Sequence, residues 1–262
     1  MSDSFLIGDV QGQDALLKRL LIQEGLMSEA GERLRPEVTV IQLGDLGHFA
    51  RYHMGSDRID PENDEACFKL LEDGVIDLML WGNHDRPIMC HLSIDNIFGG
   101  YLAPSLDFVH KVQGLRAQGK IKLAQSIDGF LLTHAGLHSH WEHMDITDPE
   151  DIAGILNSYD EFHFDGASSV HREVEQFIDT IGPTRGGRDK FGGILWRDNN
   201  DEPLWNGVRQ IYGHSAYETV QTQPSRSEVS YCLDVSKYDR IGGIWLPSEK
   251  IVTIGLDDVT LD

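Results

Sequence analysis

The chain predicts an α/β fold in which the C-terminal ends of several strands deliver polar side chains to one edge. Three observations carry this expectation. Strand-length apolar runs alternate with helix-like segments through the first half of the 262 residues. From residue 191 onward the pattern is strands alone. Five of the apolar runs stop abruptly at turns carrying Asp, Asn or His, and open α/β sheets bind their ligands beyond the carboxyl ends of strands.

The elements follow in chain order. Phe5-Leu6-Ile7 is a buried strand leading into Gly8-Asp9-Val10-Gln11-Gly12. Residues 14–21 carry strong helix formers with Leu at helical spacing. Val38 to Leu43 is a second strand, ending in Gly44-Asp45-Leu46-Gly47-His48. Pro and acidic residues at the start of 62–73 mark a helix N-terminus. Asp77 to Trp81 is the third strand, running into Gly82-Asn83-His84-Asp85. Residues 86–118 read as short helices and loop around Pro104. Lys120 to Ala124 and Gly129 to Leu132 flank a hairpin turn at Asp128-Gly129. Phe130-Leu131-Leu132 exits into Thr133-His134-Ala135-Gly136. Helices are expected over 149–158 and 168–181, the latter with Val170, Val174, Phe177, Ile178 and Ile181 on one stripe. Strands are then expected at 193–196, 208–212, 229–235, 241–246 and 251–254. The 208–212 run exits into Gly213-His214-Ser215. No linker or repeat divides the chain and the five turns are dispersed along it, so residues 1–262 are read as one domain.

Composition narrows the partners. A net charge of −21 repels polyanions and offers no counterion-release affinity, so nucleic acid is not an expected ligand. The acidic surface still admits a small phosphorylated substrate, because two divalent ions concentrate positive charge at one point. No run approaches the length of a membrane helix, and the N-terminus lacks the basic and apolar regions of a signal peptide. Cys67, Cys90 and Cys232 are few and widely spaced, as thiols in a reducing compartment. Cytoplasm is the expected location.

Asp, Asn and His together suit borderline and hard divalent ions, with carboxylate able to bridge two of them. Any one of these residues alone has a blander explanation: Asp after Gly at a strand exit often caps the next helix, and a lone His is more often hydrogen-bonded in a core. Five such turns in one chain read as a two-metal hydrolytic site. The histidines outside these turns, His138 and His140 among them, are expected at the surface.

The ordered set Gly-Asp-x-x-Gly, Gly-Asp, Gly-Asn-His-Asp, His-Ala-Gly and Gly-His-Ser resembles the calcineurin-like metallophosphoesterase superfamily. Within it the likeness is to bacterial and phage Ser/Thr phosphoprotein phosphatases and to symmetrical diadenosine-tetraphosphate hydrolases. Leu195-Trp196-Arg197-Asp198 and Leu233-Asp234-Val235 extend it over nearly the whole chain. The resemblance implies a sandwich of two mixed β-sheets flanked by helices, with a dimetal site at the sheet edge. It makes Asp45 the bridging carboxylate and gives one metal Asn83, His134 and His214. The other metal receives Asp9 beside Gln11, and His84 becomes the general acid. The implied reaction is direct attack on a phosphate ester by metal-activated water, with two divalent ions, Mn or else Fe or Zn, as cofactors.

This chain departs from the family pattern at four places. Gln11 stands where most relatives have His, and a side-chain amide is a poorer ligand than imidazole for borderline metals. His48 replaces the Asp that orients the catalytic His in phosphatases, and Phe49 replaces an Arg that grips phosphate. Gly213-His214-Ser215-Ala216 lacks a second His. Arg51, Arg185 in the Gly-rich loop 184–188, and Arg197 are the candidates to restore the grip, since the guanidinium fork donates paired hydrogen bonds to phosphate. The leading expectation is a Ser/Thr protein phosphatase-like hydrolase acting on a phosphorylated protein or small molecule, with a weakly held second metal. A nucleoside-polyphosphate hydrolase and a non-catalytic phosphate-binding protein are the alternatives.

Overall fold

Strands β1 (Ser4–Ile7), β2 (Thr39–Gln42) and β3 (Leu78–Leu80) are mainly apolar because each is covered on both faces. Side chains alternate: Phe5, Ile7, Val40 and Met79 turn toward helices, whereas Leu6, Ile41, Leu78 and Leu80 turn toward a second sheet. The computed structural model describes residues 3–47, 61–85, 105–164, 178, 180–200, 203–205, 207–224 and 229–255.

The three strands run parallel and are joined by β4 (Ile121–Lys122), β10 (Arg240–Leu246) and β11 (Lys250–Gly255) in a six-stranded sheet of order β11-β10-β1-β2-β3-β4. The second sheet has the order β5-β6-β7-β9-β8, built from β5 (Ala124–Ile127), β6 (Phe130–Thr133), β7 (Arg209–Tyr212), β8 (Gln221–Pro224) and β9 (Val229–Cys232). Here β6, β7 and β9 are parallel and the outer strands antiparallel. Both sheets are therefore mixed. Leu6, Ile41, Leu80, Phe130, Leu132, Ile211, Leu233 and Ile244 interleave between them. Burying one such side chain contributes about 1.5–3 kcal/mol, so this layer sets how one sheet sits on the other.

Helices α1 (Asp14–Gln23), α2 (Pro61–Glu72), α3 (Leu106–Ala117) and α4 (Pro149–Phe164) cover the outer faces. Leu16, Leu17, Leu20 and Leu21 form the buried stripe of α1. Ser105 caps α3, its side chain accepting the N–H of Phe108 at 3.2 Å. Leu123 alone separates β4 from β5, so the chain changes sheets across one residue. Asn157 on α4 holds that crossing. Its Oδ1 accepts the N–H groups of Leu123 and Ala124 at 3.0 and 3.1 Å, and its Nδ2 donates to the Ala124 carbonyl at 2.9 Å.

Several local expectations need correction. The run 120–124 does not form one arm of the hairpin; it ends the first sheet, and Ala124–Ile127 is the arm that pairs with β6 across Asp128-Gly129. Residues 193–196 form a turn, with the Gly193 carbonyl accepting the N–H groups of Trp196 and Arg197 at 2.9 and 2.7 Å. Ile194 and Leu195 are apolar because that turn is buried. Strand β8 escaped notice because Gln-Thr-Gln-Pro is polar, as befits an edge strand closed by Pro. His138 is buried against Phe191, with ring centroids 4.3 Å apart. Of the helix expected over 168–181, only 178, 180 and 181 lie within the described residues. Cys67 and Cys232 are buried free thiols. No helix among the described residues is long and apolar enough to cross a membrane.

Candidate metal centre

The exits of β1, β2, β3, β6 and β7 bring Asp9, Asp45, Asn83, His134 and His214 together, all of them buried. Close backbone approach explains the glycines that precede them. A Cβ at Gly82 would lie 2.1 Å from Asp45 Oδ1, and one at Gly213 would lie 2.0 Å from Asp9 Oδ1. At these two positions one motif packs against the side chain of another, and a residue larger than Gly would displace a carboxylate.

Asn83 Oδ1 sits 2.9 Å from His134 Nε2 and 2.8 Å from His214 Nδ1, and those two nitrogens are 3.2 Å apart. Asp45 Oδ1 lies 3.5 Å from His134 Nε2. The ligand atoms of Asp45, His134 and His214 all fall within 4.8 Å of one another. His134 Nδ1 lies 3.0 Å from the Leu43 carbonyl and donates its proton there, which leaves the Nε2 lone pair facing the cluster. Asp9 is oriented by the backbone N–H of His214, 3.0 Å from Oδ1 and 3.3 Å from Oδ2. Gln11 is half-buried, and its backbone N–H donates to the Asp45 carbonyl at 2.8 Å, tying the first turn to the second.

Three of these residues occupy left-handed backbone: Gln11 at φ 50°, Asp45 at φ 54° and His214 at φ 66°. Conformations of that kind cost of order 1–3 kcal/mol each and collect at functional sites.

Electrostatics favour a cation. Burial, then the charges of Asp234 and Asp45, raise the Asp9 carboxyl well above its ordinary range. Burial and Asp85 do the same to Asp45. Burial takes the His134 imidazole down to about 3, and burial followed by Arg185 lowers His214. Neutral imidazoles beside mutually repelling carboxylates make a site short of positive charge, and the donor set of two nitrogens, an amide oxygen and carboxylates fits a divalent ion.

His84 is the more open member, 18% exposed, with its backbone N–H on Asp45 Oδ1 at 2.9 Å and its Nε2 3.7 Å from Asp45 Oδ2. Arg185 closes a single turn of 3-10 helix. Its Nη2 donates to the His214 carbonyl at 2.9 Å and its Nε pairs with Asp198 Oδ2 at 2.8 Å. Arg197 is fully buried beneath the site, with Nε donating to the Ala135 carbonyl at 2.9 Å and the guanidinium over the Tyr212 ring. His48, Phe49 and Arg51 lie outside the described residues.

Two contributors were not singled out in the sequence. The Asp85 carboxylate accepts the backbone N–H groups of Asp45, Gly47 and Gly82 at 2.6, 3.1 and 3.1 Å, and burial still raises it to about 7. Its place directly after Asn83-His84 was the available signal. Asp234 follows the exit of β9 and is buried beside Asp9. It repeats the pattern of an apolar run stopped by Asp.

The calcineurin-like phosphoesterase family model matches residues 5–217. No curated protein sequence matches the chain. Among solved structures, a candidate diadenosine tetraphosphatase is 15% identical, with TM-score 0.51 over 97% of this chain and 93% of its own. A cold-active protein-tyrosine phosphatase of a psychrophilic Shewanella is 14% identical, with TM-score 0.59 over 99% and 79%. Another structure of a cold-active protein tyrosine phosphatase gives 15% identity and TM-score 0.60 over 99% and 78%. At these identities the likeness shows the fold.

Proposed function

This chain belongs to the calcineurin-like phosphoesterase family and is a phosphoesterase, and we propose that it is a two-metal phosphatase of the Ser/Thr protein phosphatase type. Its substrate is a phosphomonoester, carried on a protein or a small molecule. The convergence of Asn83, His134 and His214 on Asp45 carries this reading, since a buried cluster rich in acceptors is costly to keep and a cation would offset that cost. Asp45 is assigned to both metal positions, Asn83, His134 and His214 to one, and Asp9 with Gln11 to the other. Two divalent ions, when bound, supply charge for the phosphate oxygens and make a water molecule nucleophilic. Mn²⁺ is the favoured ion, because the Asp9 side is rich in oxygen donors.

His84 is assigned to deliver a proton from Nε2 to the leaving oxygen, its Nε2 standing 3.7 Å from Asp45 Oδ2 at the open side of the centre. Arg185 is assigned to the phosphate, its guanidinium partly exposed above the His214 turn. Arg197 is left with a structural part. With ligands drawn from residue 9 to residue 214, the chain acts as one domain. The family's enzymatic character supports turnover over phosphate binding alone.

Hydrolysis of p-nitrophenyl phosphate with Mn²⁺, compared with His84→Ala, tests the reading. A panel of phosphoprotein, mononucleotide and dinucleoside polyphosphate substrates then separates a protein phosphatase from a nucleoside-polyphosphate hydrolase. Preferred cleavage of the dinucleoside polyphosphate would replace the proposal with the second activity. An inert protein on every substrate would leave a binding function.

A further inference from the structure

The Asp9 side of the centre has lost its expected imidazole, with Gln11 in that place and Ala216 two residues after His214. The surrounding structure offers something else. At Gly8 a Cβ would meet the Leu233 carbonyl oxygen at 2.6 Å, so the chain leaving β9 runs directly against the chain leaving β1. That contact puts Asp234 beside Asp9. Asp234 is 1% exposed. Its Oδ1 accepts the Ser236 backbone N–H at 2.9 Å, whereas Oδ2 is buried with no hydrogen-bond partner. A buried carboxylate oxygen without a donor is costly to keep, and here it stands next to a second carboxylate held by a single backbone N–H.

We propose that Asp234 is a ligand of the metal position at Asp9, its free Oδ2 serving where relatives use imidazole. With Asp9, Asp45 and the Gln11 amide, this makes an oxygen-only position beside a nitrogen-bearing one. Hard ions such as Mn²⁺ and Mg²⁺ select oxygen donors, and Zn²⁺ selects the imidazoles of His134 and His214. The chain would then hold two chemically different ions side by side. The loss of imidazole at position 11 is thus a change of metal preference, with Asp234 supplying the charge that Gln11 lacks.

The inference rests on the two-metal reading, and one titration separates the two. Mn²⁺ binding to the metal-free, full-length protein is followed by loss of the free Mn²⁺ EPR signal, first unaltered and then as Asp234→Asn. The expected result is two-step binding by the unaltered protein. In the variant the weaker step is reduced by about 10²-fold or more, since even disturbing an outer partner of a metal ligand costs about 10–100-fold. The tighter step should be unchanged, which also reports that the variant is folded. One-step binding by the unaltered protein sinks the two-metal reading and this assignment together. Two steps that both survive in Asp234→Asn leave the two-metal reading standing and overturn the assignment alone. A second measurement needs no variant. With Zn²⁺ in the tighter position and Mn²⁺ in the weaker, pulsed EPR should show no ¹⁴N coupling from imidazole. A ¹⁴N imidazole coupling on the weakly bound Mn²⁺ would overturn the oxygen-only position.

Discussion

The carboxylate of Asp85 accepts the backbone N–H of Asp45 at 2.6 Å. Asp45 stands in left-handed backbone and its side chain faces two imidazoles, so its conformation has to be imposed from outside. Asp85 imposes it, binding Gly47 and Gly82 with the same carboxylate. The third motif thereby fixes the second, and a residue outside the proposed ligand set controls the one proposed to bridge both metals.

Replacing Asp85 by Asn puts an amide N–H₂ against backbone donors and leaves at least one of them unpaired. The expected loss is about 3 kcal/mol for a buried, charge-assisted contact, which lowers Tm by roughly 6–12 °C in a chain of this size. Metal affinity should fall by about 10–100-fold, as for other partners that orient a ligand. Calorimetry and a Mn²⁺ titration of the variant check both, and unchanged metal affinity would remove Asp85 from the positioning role.

Asp45→Asn and His84→Ala should fail in different ways. The first removes the negative charge shared by both metal positions and is expected to abolish binding of at least one ion. The second should keep both ions and lower turnover by about 10²–10⁴ on a substrate with a poor leaving group. Elemental analysis beside steady-state rates distinguishes them. Loss of metal from His84→Ala with retention in Asp45→Asn would reverse the assignments.

Metal content should be unequal as purified. The position proposed for His134, His214 and Asn83 would have two nitrogen ligands, and the one proposed at Asp9 would have none. A chelator at moderate concentration is expected to strip one ion and stop turnover, and added Mn²⁺ should restore it. Indistinguishable affinities at the two positions would contradict this.

Without metal, stability should fall as pH rises through about 7. Asp9, Asp45 and Asp85 all have raised carboxyl pKa values, Asp85 at about 7. Such groups hold protons in the folded chain that the unfolded chain has already released, so their contribution is present at low pH and lost as pH climbs through the folded value. The lowered His134 and His214 act in the opposite sense, but only below the ordinary imidazole range near 6.5. Between about pH 6.5 and 7.5, through the Asp85 value of about 7, the carboxylates therefore govern, and Tm of the chelator-treated protein should decline. Saturating Mn²⁺ should abolish or reverse the slope. A Tm that rises across that window without metal would show that the carboxylates are not acting this way.

The five apolar runs that end in Asp, Asn or His announced both the strands and the candidate site, because a helix cap or a core histidine explains any one such turn but not five in one chain. Periodicity could not tell a buried turn from a buried strand at Ile194 and Leu195, since burial makes either apolar. It also missed β8, whose polar residues suit an edge. Arg185 and Arg197 look alike as letters, yet one reaches the His214 carbonyl at the surface and the other lies under Ala135. Only packing separates them. Asp85 and Asp234 escaped for a related reason: their parts depend on which backbone N–H groups and carboxylates the fold sets beside them.

The single-residue crossing at Leu123 partitions the centre by chain position. Asp9, Asp45 and Asn83 precede it, and His134, His214 and Asp234 follow. A polypeptide severed there yields two pieces, neither of which carries a complete ligand set, and the ion becomes the agent that rejoins them. Because the cation binds the joined form and not the pieces, about one hundredfold excess over its dissociation constant would tighten their association by roughly 2.7 kcal/mol. Co-expressed halves should then associate about one hundredfold more tightly in Mn²⁺ than in chelator, on top of the apolar layer that joins the two sheets.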